Sequence, residues 1–493
     1  MEETNFYILI LLLVLFVSFL VLHHLRQKFS KYPPGPYPLP ILGNFLHLHK
    51  APHIALANLA KVHGPLISLR LGAKLLIVAS SQEAATEILK VHERAMSGRP
   101  VPLTIEAVGS KGLDFFTLIG ATSCTKNWKK LRTIVKAELL STDVVDKTTI
   151  VREEKAKELI DLLSSKQGQV VNLGDFIFTT AANTLSRLLF SKDFISLENE
   201  SLVGGFSKEN IKTIVNLAST PNIGDHYTIF SGLDIQGLGK KSAECLGRLY
   251  ASWNNLVSGR QETKCGDHVN KDKDFLDVLL ANGFSKDQIN LILSEMLITG
   301  IDTTSAAVEW AMAELIKNQD AMTKLSEELA KEIGGNIIRD SDLPRLPYLN
   351  ACVKETLRLH PSVAMVPRRA IERCQVMNYT IPKNAEIWVN LWALGRDPTK
   401  WEVPLAFMPS RFLQSHLSFM GSHFEYIPFG SGRRMCPGLP LAVRLVPLVI
   451  ASLVHSFDWY LPDNLSPSEL NMDAKLGLTL QREKPLYLIP RTK

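Results

Sequence analysis

The stretch Phe429-Gly430-Ser431-Gly432-Arg433-Arg434-Met435-Cys436-Pro437-Gly438 surrounds one cysteine with three glycines. Glycine has no Cβ, so these positions allow a tight turn in which the backbone approaches a flat ligand closely. A helix is predicted directly afterwards, with Pro437 at or near its first turn. A thiol at a helix N-terminus lies in a positive field that favours the thiolate. By itself the stretch leaves two hypotheses open, a ligating cysteine and a surface turn with an incidental buried thiol.

The spacing of the loop decides between these hypotheses by resemblance. The pattern F-x-x-G-x-R-x-C-x-G, met at Phe429, Gly432, Arg434, Cys436 and Gly438, resembles the cysteine loop of the cytochrome P450 superfamily. The resemblance implies that Cys436 ligates the iron of haem b, as a thiolate that favours O–O bond cleavage. It also implies haem contacts for Phe429 and Gly438, and a propionate partner in Arg434, whose guanidinium can bind a carboxylate through two hydrogen bonds.

A helical Glu355-Thr356-Leu357-Arg358 segment resembles the same family. Residues three apart share a helix face, but an exposed pair of this kind is common and contributes little. The resemblance implies instead a buried structural pair joined by Arg411 of the segment Pro409-Ser410-Arg411-Phe412. Ser410 stands where the family usually has an acid, so any ion pair of that acid is absent.

Two further positions resemble the family's propionate contacts. Trp128-Lys129-Lys130-Leu131-Arg132 places an indole and a guanidinium on one helix face, a weak signal by itself. The resemblance implies that Trp128 and Arg132 hold a haem propionate, with Arg368 as a further partner. The likeness then extends over essentially the whole chain.

The segment Thr299-Gly300-Ile301-Asp302-Thr303-Thr304 lies inside a predicted long helix. Threonine hydroxyls can bond back to the i−4 carbonyl and bend a helix, and an acid beside a hydroxyl can relay protons. A helix N-cap at Asp302 is the alternative, although apolar helical spacing continues on both sides. The resemblance implies that Asp302 and Thr303 deliver protons. Thr299 replaces the usual Ala or Gly.

The body of the chain is predicted to be mainly α with small β-sheets, in the cytochrome P450 fold. Residues 64–80 alternate around a central glycine, which predicts a two-stranded hairpin. A long helix is predicted from near Ser285 past Leu315, and another over residues 346–359, ended by His360 and Pro361. Residues 363–392 have strand character, and a last helix follows Gly438.

One N-terminal transmembrane helix is predicted before this body. Phe6 to Leu22 carries no charge, and about 17–25 apolar residues span a bilayer. The flank beyond it is basic, so the positive-inside rule places the rest of the chain in the cytosol. We therefore predict an anchor over 1–28, a stiff proline-rich hinge over 29–42 and a catalytic domain over 43–493, in a single-pass protein of the endoplasmic reticulum membrane.

The charge balance argues against nucleic acid as a partner. Lys and Arg exceed Asp and Glu by only 55 − 49 = 6, without a basic stripe. The chain contains no dinucleotide fingerprint, so electrons are expected from NADPH through a separate membrane-bound flavin-containing cytochrome P450 reductase. We predict that this partner docks near the cysteine, with Lys129, Lys130 and Arg433 as candidate contacts.

The expected activity is NADPH- and O₂-dependent oxidation, by hydroxylation or oxidative coupling, of a small lipophilic specialised metabolite. The resemblance is to plant microsomal enzymes that oxidise alkaloids, with terpenoid hydroxylases second. A haem-thiolate isomerase or dehydratase that needs no O₂ is a further alternative. Apolar pocket residues favour a neutral substrate, in conflict with the alkaloid resemblance, and the choice stays open. The residues predicted to line the pocket are Phe115, Phe116, Ile298, Thr299, Val363, Met365 and Leu478.

Overall fold

The computed structural model describes residues 7, 14, 17–18, 31–48, 51–106, 117–120, 122–195, 207–230, 232–263 and 273–493. The predicted anchor lies almost wholly outside the described residues, as do Phe115 and Phe116. Within them, Lys286–Lys317 and Leu439–Ser456 are long and apolar enough to cross a membrane, but 61% and 67% of their most apolar windows are buried in the protein. Both are therefore core helices.

α-Helices are the main regular element of the described chain, as the sequence predicts. They are α1 Pro52–His63, α2 Gln82–Thr86, α3 Leu103–Glu106, α4 Lys126–Glu138, α5 Thr142–Lys147, α6 Thr149–Ser165, α7 Leu173–Phe190, α8 Lys208–Ser219, α9 Ile223–His226, α10 Leu238–Thr263, α11 Phe275–Ala281, α12 Lys286–Lys317, α13 Gln319–Ile333, α14 Pro347–Leu359, α15 Leu391–Leu394 and α16 Leu439–Ser456.

The strands form small sheets at the edges of the helical body. They are β1 Leu66–Leu71, β2 Lys74–Ala79, β3 Val171–Asn172, β4 Met365–Arg369, β5 Cys374–Val376, β6 Tyr379–Ile381, β7 Glu386–Asn390, β8 Phe457–Tyr460, β9 Ala474–Leu476, β10 Leu480–Arg482 and β11 Tyr487–Thr492. The largest sheet has the order β1-β2-β7-β4, with β2 and β7 parallel and the other pairs antiparallel. The predicted hairpin at 64–80 is β1-β2, so this prediction is confirmed.

The long helix α12 is the axis around which the core is built. Ser285 caps it, accepting the backbone N–H of Gln288 while the Gln288 side chain accepts the backbone N–H of Ser285, an arrangement that satisfies two helix-start donors. One apolar cluster surrounds its N-terminal half with α7 and α10, and a second joins its C-terminal half to α14 and α16. Because the helix is continuous through Asp302, the alternative of an N-cap there is excluded.

The proline-rich stretch lies along β1 and is held there. The Ser68 hydroxyl donates to the carbonyl of Pro33 at 2.6 Å, and the Ser68 N–H donates to the carbonyl of Pro34 at 2.8 Å. A Cβ at Gly35 would overlap the Ser68 carbonyl, so this close approach requires glycine. The stretch therefore joins the chain before it to the sheet at a fixed place.

Candidate functional site

Cys436 lies in the loop immediately before α16. Its N–H donates to the carbonyl of Phe429 at 2.9 Å, which closes the loop. Gly432 has φ +71°, and a Cβ there would lie 2.5 Å from the carbonyl oxygen of Leu89, so glycine is required by contact with backbone. The helix begins at Leu439 with Gly438 as its N-cap. Pro437 directly precedes this cap, near the first turn as predicted, and Pro440 lies within the first turn.

The surroundings of the Cys436 thiol act on its pKa in both directions. The Cys436 side chain is exposed, yet the protein atoms around it are the largest influence on the pKa of the thiol and raise it above its ordinary value by desolvation. The backbone N–H of Gly438, the charge of Arg132 and the N–H of Leu439 act in the opposite direction and lower this pKa. Because metal ligation requires the thiolate, these groups favour ligation by Cys436.

Four arginine side chains cluster beside the cysteine loop: Arg99, Arg132, Arg368 and Arg434. Burial, followed by repulsion from Arg434, lowers the pKa of Arg99 to about 10. Burial, Arg99 and Arg434 lower the pKa of Arg368 well below its ordinary value. The carboxylate of Glu295 opposes this effect at Arg99 and Arg434, but one carboxylate against four guanidinium groups leaves a buried positive charge that an anion would neutralise.

This cluster fits the two carboxylates of a haem. The Nε of Arg99 is buried and has no hydrogen-bond partner among the described residues, so it is a donor available to a ligand. Arg132 Nη2 donates to the carbonyl of Met435 at 2.7 Å, and Arg434 Nε donates to the carbonyl of Ser97 at 2.6 Å. These bonds orient both guanidinium groups next to the cysteine loop.

Trp128 supports the cluster by stacking. Its indole N–H donates to the carbonyl of Leu118 at 3.0 Å, so in this structure that N–H is directed at the backbone rather than at a ligand. The guanidinium carbons of Arg132 and Arg434 lie 5.4 and 5.2 Å from its ring. Cation–π contacts of this kind are favourable when desolvated.

The structure brings Glu355, Arg358 and Arg411 together. Arg358 Nε and Nη2 lie 2.7 and 2.8 Å from the two carboxylate oxygens of Glu355, and Arg411 Nε lies 3.0 Å from Oε1. Arg358 also donates to the carbonyls of Pro404 and Ala406. The Glu355–Arg358 pair thereby joins α14 to the segment 404–411, which precedes the cysteine loop. Ser410 is exposed and takes no part.

Asp302 and Thr303 lie in the middle of α12 and point in different directions. Thr303 Oγ1 donates to the carbonyl of Thr299, and Thr299 Oγ1 donates to the carbonyl of Glu295, each at 2.7 Å. The Asp302 carboxylate accepts the Thr479 hydroxyl and the Gln481 amide, each at 2.6 Å. Burial raises the pKa of Asp302, and these two bonds oppose that rise.

The predicted pocket residues occupy different environments. Ile298 is buried in the apolar cluster around the N-terminal half of α12. Val363 and Met365 are half-buried against the β1-β2-β7-β4 sheet. Leu478 is exposed in the turn between β9 and β10, and Thr299 is half-buried on α12.

Four residues of the site were not predicted: Glu295, Arg99, Thr479 and Gln481. Glu295 accepts the backbone N–H groups of Leu118, Ile119 and Gly120 at 2.7, 2.5 and 3.4 Å. Arg99 joins the guanidinium cluster, and Thr479 and Gln481 donate to Asp302. Glu295 had a detectable signal, because residues 295, 299 and 303 are spaced to share one helix face. The sequence carries no such signal for Arg99, Thr479 and Gln481, because their partners lie far away along the chain.

A cysteine just before a helix, next to a buried cluster of guanidinium groups, is the arrangement expected of a haem-thiolate protein. The cytochrome P450 family model matches residues 33–489, and the chain belongs to that family. It is 43% identical to corytuberine synthase of Coptis japonica, over 95% of this chain and 96% of that protein. It is 40% identical to (S)-N-methylcoclaurine 3'-hydroxylase isozyme 1 of Papaver somniferum, over 98% and 100%. It is 39% identical to carnosic acid synthase of Rosmarinus officinalis, over 94% of each.

The predicted family, enzyme class and haem cofactor are thereby confirmed. The protein is a haem-thiolate monooxygenase that obtains NADPH-derived electrons through a reductase.

Proposed function

We propose that this chain is a membrane-bound monooxygenase that hydroxylates or oxidatively couples a small aromatic plant alkaloid. The similarity to the Coptis and Papaver proteins carries this proposal, because it extends over 95% or more of the chain. The identity to carnosic acid synthase of Rosmarinus officinalis is 39% over 94% of the chain, so the difference between the two groups of relatives is small.

The residues of the site have distinct roles in this proposal. Bound haem would supply the activation of O₂. Cys436 would hold its iron, and Arg99, Arg132, Arg368 and Arg434 would bind its two carboxylates. Trp128 would keep Arg132 and Arg434 in place through ring contacts, and Phe429 and Gly438 would shape the loop. Glu355, Arg358 and Arg411 would maintain the chain on which that loop depends.

Asp302 and Thr303 would supply protons where bound haem activates O₂. Thr303 is half-buried on the same face of α12 as Thr299, and its hydroxyl can both donate and accept. Asp302 is a buried acid with a raised pKa, so it retains its proton more readily than an exposed carboxyl group and can act as a general acid.

A neutral terpenoid is the second candidate substrate, and one observation favours it. The two acids of α12 nearest the predicted pocket are already engaged, Glu295 by three backbone N–H groups and Asp302 by Thr479 and Gln481. An ammonium group would have to compete with these donors. An aromatic alkaloid would therefore bind through its ring surfaces, with its amine directed elsewhere.

We place the protein on the endoplasmic reticulum membrane through the predicted anchor. An exposed apolar surface supports this placement. Ile41, Leu46, Ile229 and Leu233 are between 56% and 83% exposed, and the two segments meet where the Tyr227 hydroxyl donates to the Ile41 carbonyl at 3.3 Å. Exposed apolar patches mark interaction sites, and Ile41 of this one lies in the predicted hinge that follows the anchor.

The reductase would dock on the basic surface near the cysteine loop. Lys129 and Lys130 are exposed on α4, the helix that carries Trp128 and Arg132. Arg433 forms a half-exposed ion pair with Glu93 at 2.7 Å. Positive side chains near the cysteine loop suit an acidic partner.

The test is turnover by the membrane-bound protein with a plant reductase. We expect a NADPH-dependent product from (S)-N-methylcoclaurine or a related benzylisoquinoline, and little from geraniol or an abietane diterpene. Product from the terpenoids alone would replace the alkaloid proposal with the second candidate. Product without NADPH would favour an isomerase or dehydratase.

The cysteine assignment has its own measurement. The carbon monoxide difference spectrum of the reduced wild type should show the red-shifted Soret band of a thiolate ligand, and Cys436→Ala should lack it. Cys374→Ala is a matched control, because Cys374 is half-buried in β5, and its spectrum should be that of wild type.

A further inference from the structure

The Asp302 carboxylate is held from outside its own helix. Thr479 Oγ1 donates to Oδ2 at 2.6 Å, and Gln481 Nε2 donates to Oδ1 at 2.6 Å, so each oxygen has one donor. Both donors belong to the hairpin formed by β9 and β10, whose turn carries Leu478. The structure therefore links the acid of α12 to a hairpin that is 177 residues away in sequence.

The hairpin is itself fixed to α12. The indole N–H of Trp310 donates to the carbonyl of Leu480 at 2.8 Å, and the guanidinium of Arg482 lies 5.4 Å from the Trp310 ring. Thr479 is 2% exposed. The two donors therefore have a defined position relative to Asp302, two helical turns before Trp310.

The two hydrogen bonds favour one charge state of Asp302. A carboxylate accepts both bonds, whereas a protonated carboxyl group loses one acceptor site to its own proton. Donors to the ionised form make a buried acid stronger. The other charged group that acts on Asp302 is Lys212 of α8, which works in the same direction; Glu309 lies two turns along α12 and is acted on by Arg482, Lys212 and Lys208.

We propose that Thr479 and Gln481 are positioning residues for proton delivery, which stabilise the carboxylate that remains when Asp302 gives up its proton. The inference rests on the proposed function, because it requires Asp302 to be the acid of the relay. Both hydrogen bonds end on the Asp302 carboxylate, so Thr479 and Gln481 act through Asp302. Loss of either donor makes Asp302 a weaker acid and slows its proton transfer.

The test compares Thr479→Val, Thr479→Ser, Gln481→Leu and Asp302→Asn in the haem-loaded enzyme with reductase and saturating substrate. We measure product and hydrogen peroxide per NADPH, and the ratio of rates in H₂O and D₂O. Thr479→Val and Gln481→Leu should each lower product per NADPH about threefold to tenfold, less than the ~10²-fold of a complete general acid. Both should enlarge the solvent isotope effect, and Thr479→Ser should restore wild-type values.

Lys475→Ala is the matched control. Lys475 pairs with Gln481 across the hairpin and is exposed, so its removal changes the same hairpin without touching Asp302, and its coupling should be that of wild type. The reduced carbon monoxide spectrum checks haem loading in every variant. If Thr479→Val does not fold, the half-buried Gln481 still tests the proposal.

The outcomes separate the inference from the function on which it rests. Wild-type coupling and isotope effect in Thr479→Val and Gln481→Leu, with uncoupling in Asp302→Asn, would overturn the inference alone. Wild-type coupling in Asp302→Asn would remove Asp302 from the relay and the inference with it. Absence of any NADPH-dependent product from the wild type would overturn the proposed function.

Discussion

The carboxylate of Glu295 on α12 accepts the backbone N–H of Leu118 at 2.7 Å, and the carbonyl of the same Leu118 accepts the indole N–H of Trp128 and Nη1 of Arg434. The backbone N–H and carbonyl of Leu118 thus connect α12 to Trp128 and to the arginine cluster beside the cysteine loop. Residues 117–120 adjoin the segment that contains the predicted pocket residues Phe115 and Phe116. Glu295 is therefore placed to affect both haem and substrate binding.

We predict that Glu295→Ala weakens both haem binding and substrate binding. It leaves three backbone N–H groups without their acceptor, and an unsatisfied buried donor costs about 1–3 kcal/mol. The thermal midpoint should fall, and substrate-induced spin-state titrations should show weaker binding. Glu295→Gln, which retains one acceptor oxygen, should lie between Ala and wild type. Equal thermal midpoints and equal substrate affinities of Glu295→Gln and Glu295→Ala would contradict a role for the hydrogen bonds from the three backbone N–H groups.

We predict that Glu355→Gln is severely destabilising. Glu355 and Arg358 are both 0% exposed, and removing one charge of a buried pair costs about 3–5 kcal/mol. Urea unfolding should show this loss, together with a low yield of haem-loaded protein. Arg345→Gln, which breaks a pair with Asp342 that is 55% exposed at the arginine, should change stability by less than about 1 kcal/mol. Similar losses in the two variants would contradict the buried-pair argument.

The elements and the local motifs were predictable from the sequence because their signals are local. The capping residue Ser285, the glycine between β1 and β2, and the three-residue spacing of Glu355 and Arg358 each specify structure within a few positions. Pro437 was predicted at or near the first turn and lies directly before the N-cap Gly438, while Pro440 occupies the first turn itself; only the path of the backbone distinguishes the two prolines.

The partners of the site residues were not predictable in the same way. Asp302 bonds Thr479 and Gln481, and Arg99 meets Arg368 and Arg434, across hundreds of residues. Such contacts depend on how α12, the C-terminal hairpin and the sheet pack. The conflict between the alkaloid resemblance and an apolar pocket remains, because both Glu295 and Asp302 already accept hydrogen bonds from other parts of the protein.

We predict that Thr303→Ala uncouples NADPH consumption from product formation. In the proposed relay the Thr303 hydroxyl carries the proton, and alanine removes this hydroxyl while keeping the helix. Product per NADPH should fall by at least about tenfold, with a matching gain in hydrogen peroxide. Ser305→Ala removes a hydroxyl that bonds the Ile301 carbonyl in the same manner and should remain coupled. Unchanged coupling in Thr303→Ala would exclude that hydroxyl from the relay.

We predict that His53 contributes to loss of stability in acid. His53 is 0% exposed, and neither ring nitrogen has a hydrogen-bond partner among the described residues. Burial, followed by the charge of Arg396, lowers its pKa to about 4. The unfolded chain takes up a proton near pH 6.5 and the folded protein only near pH 4, so stability is full above pH 6.5 and falls between these values. His53→Leu fills the same apolar surroundings without a titrating group, and its unfolding free energy should fall less over that interval, by on the order of 2 kcal/mol. His416→Gln, at an exposed position, should follow the wild-type curve; identical pH dependence of His53→Leu and wild type would show that protonation of His53 does not drive the loss.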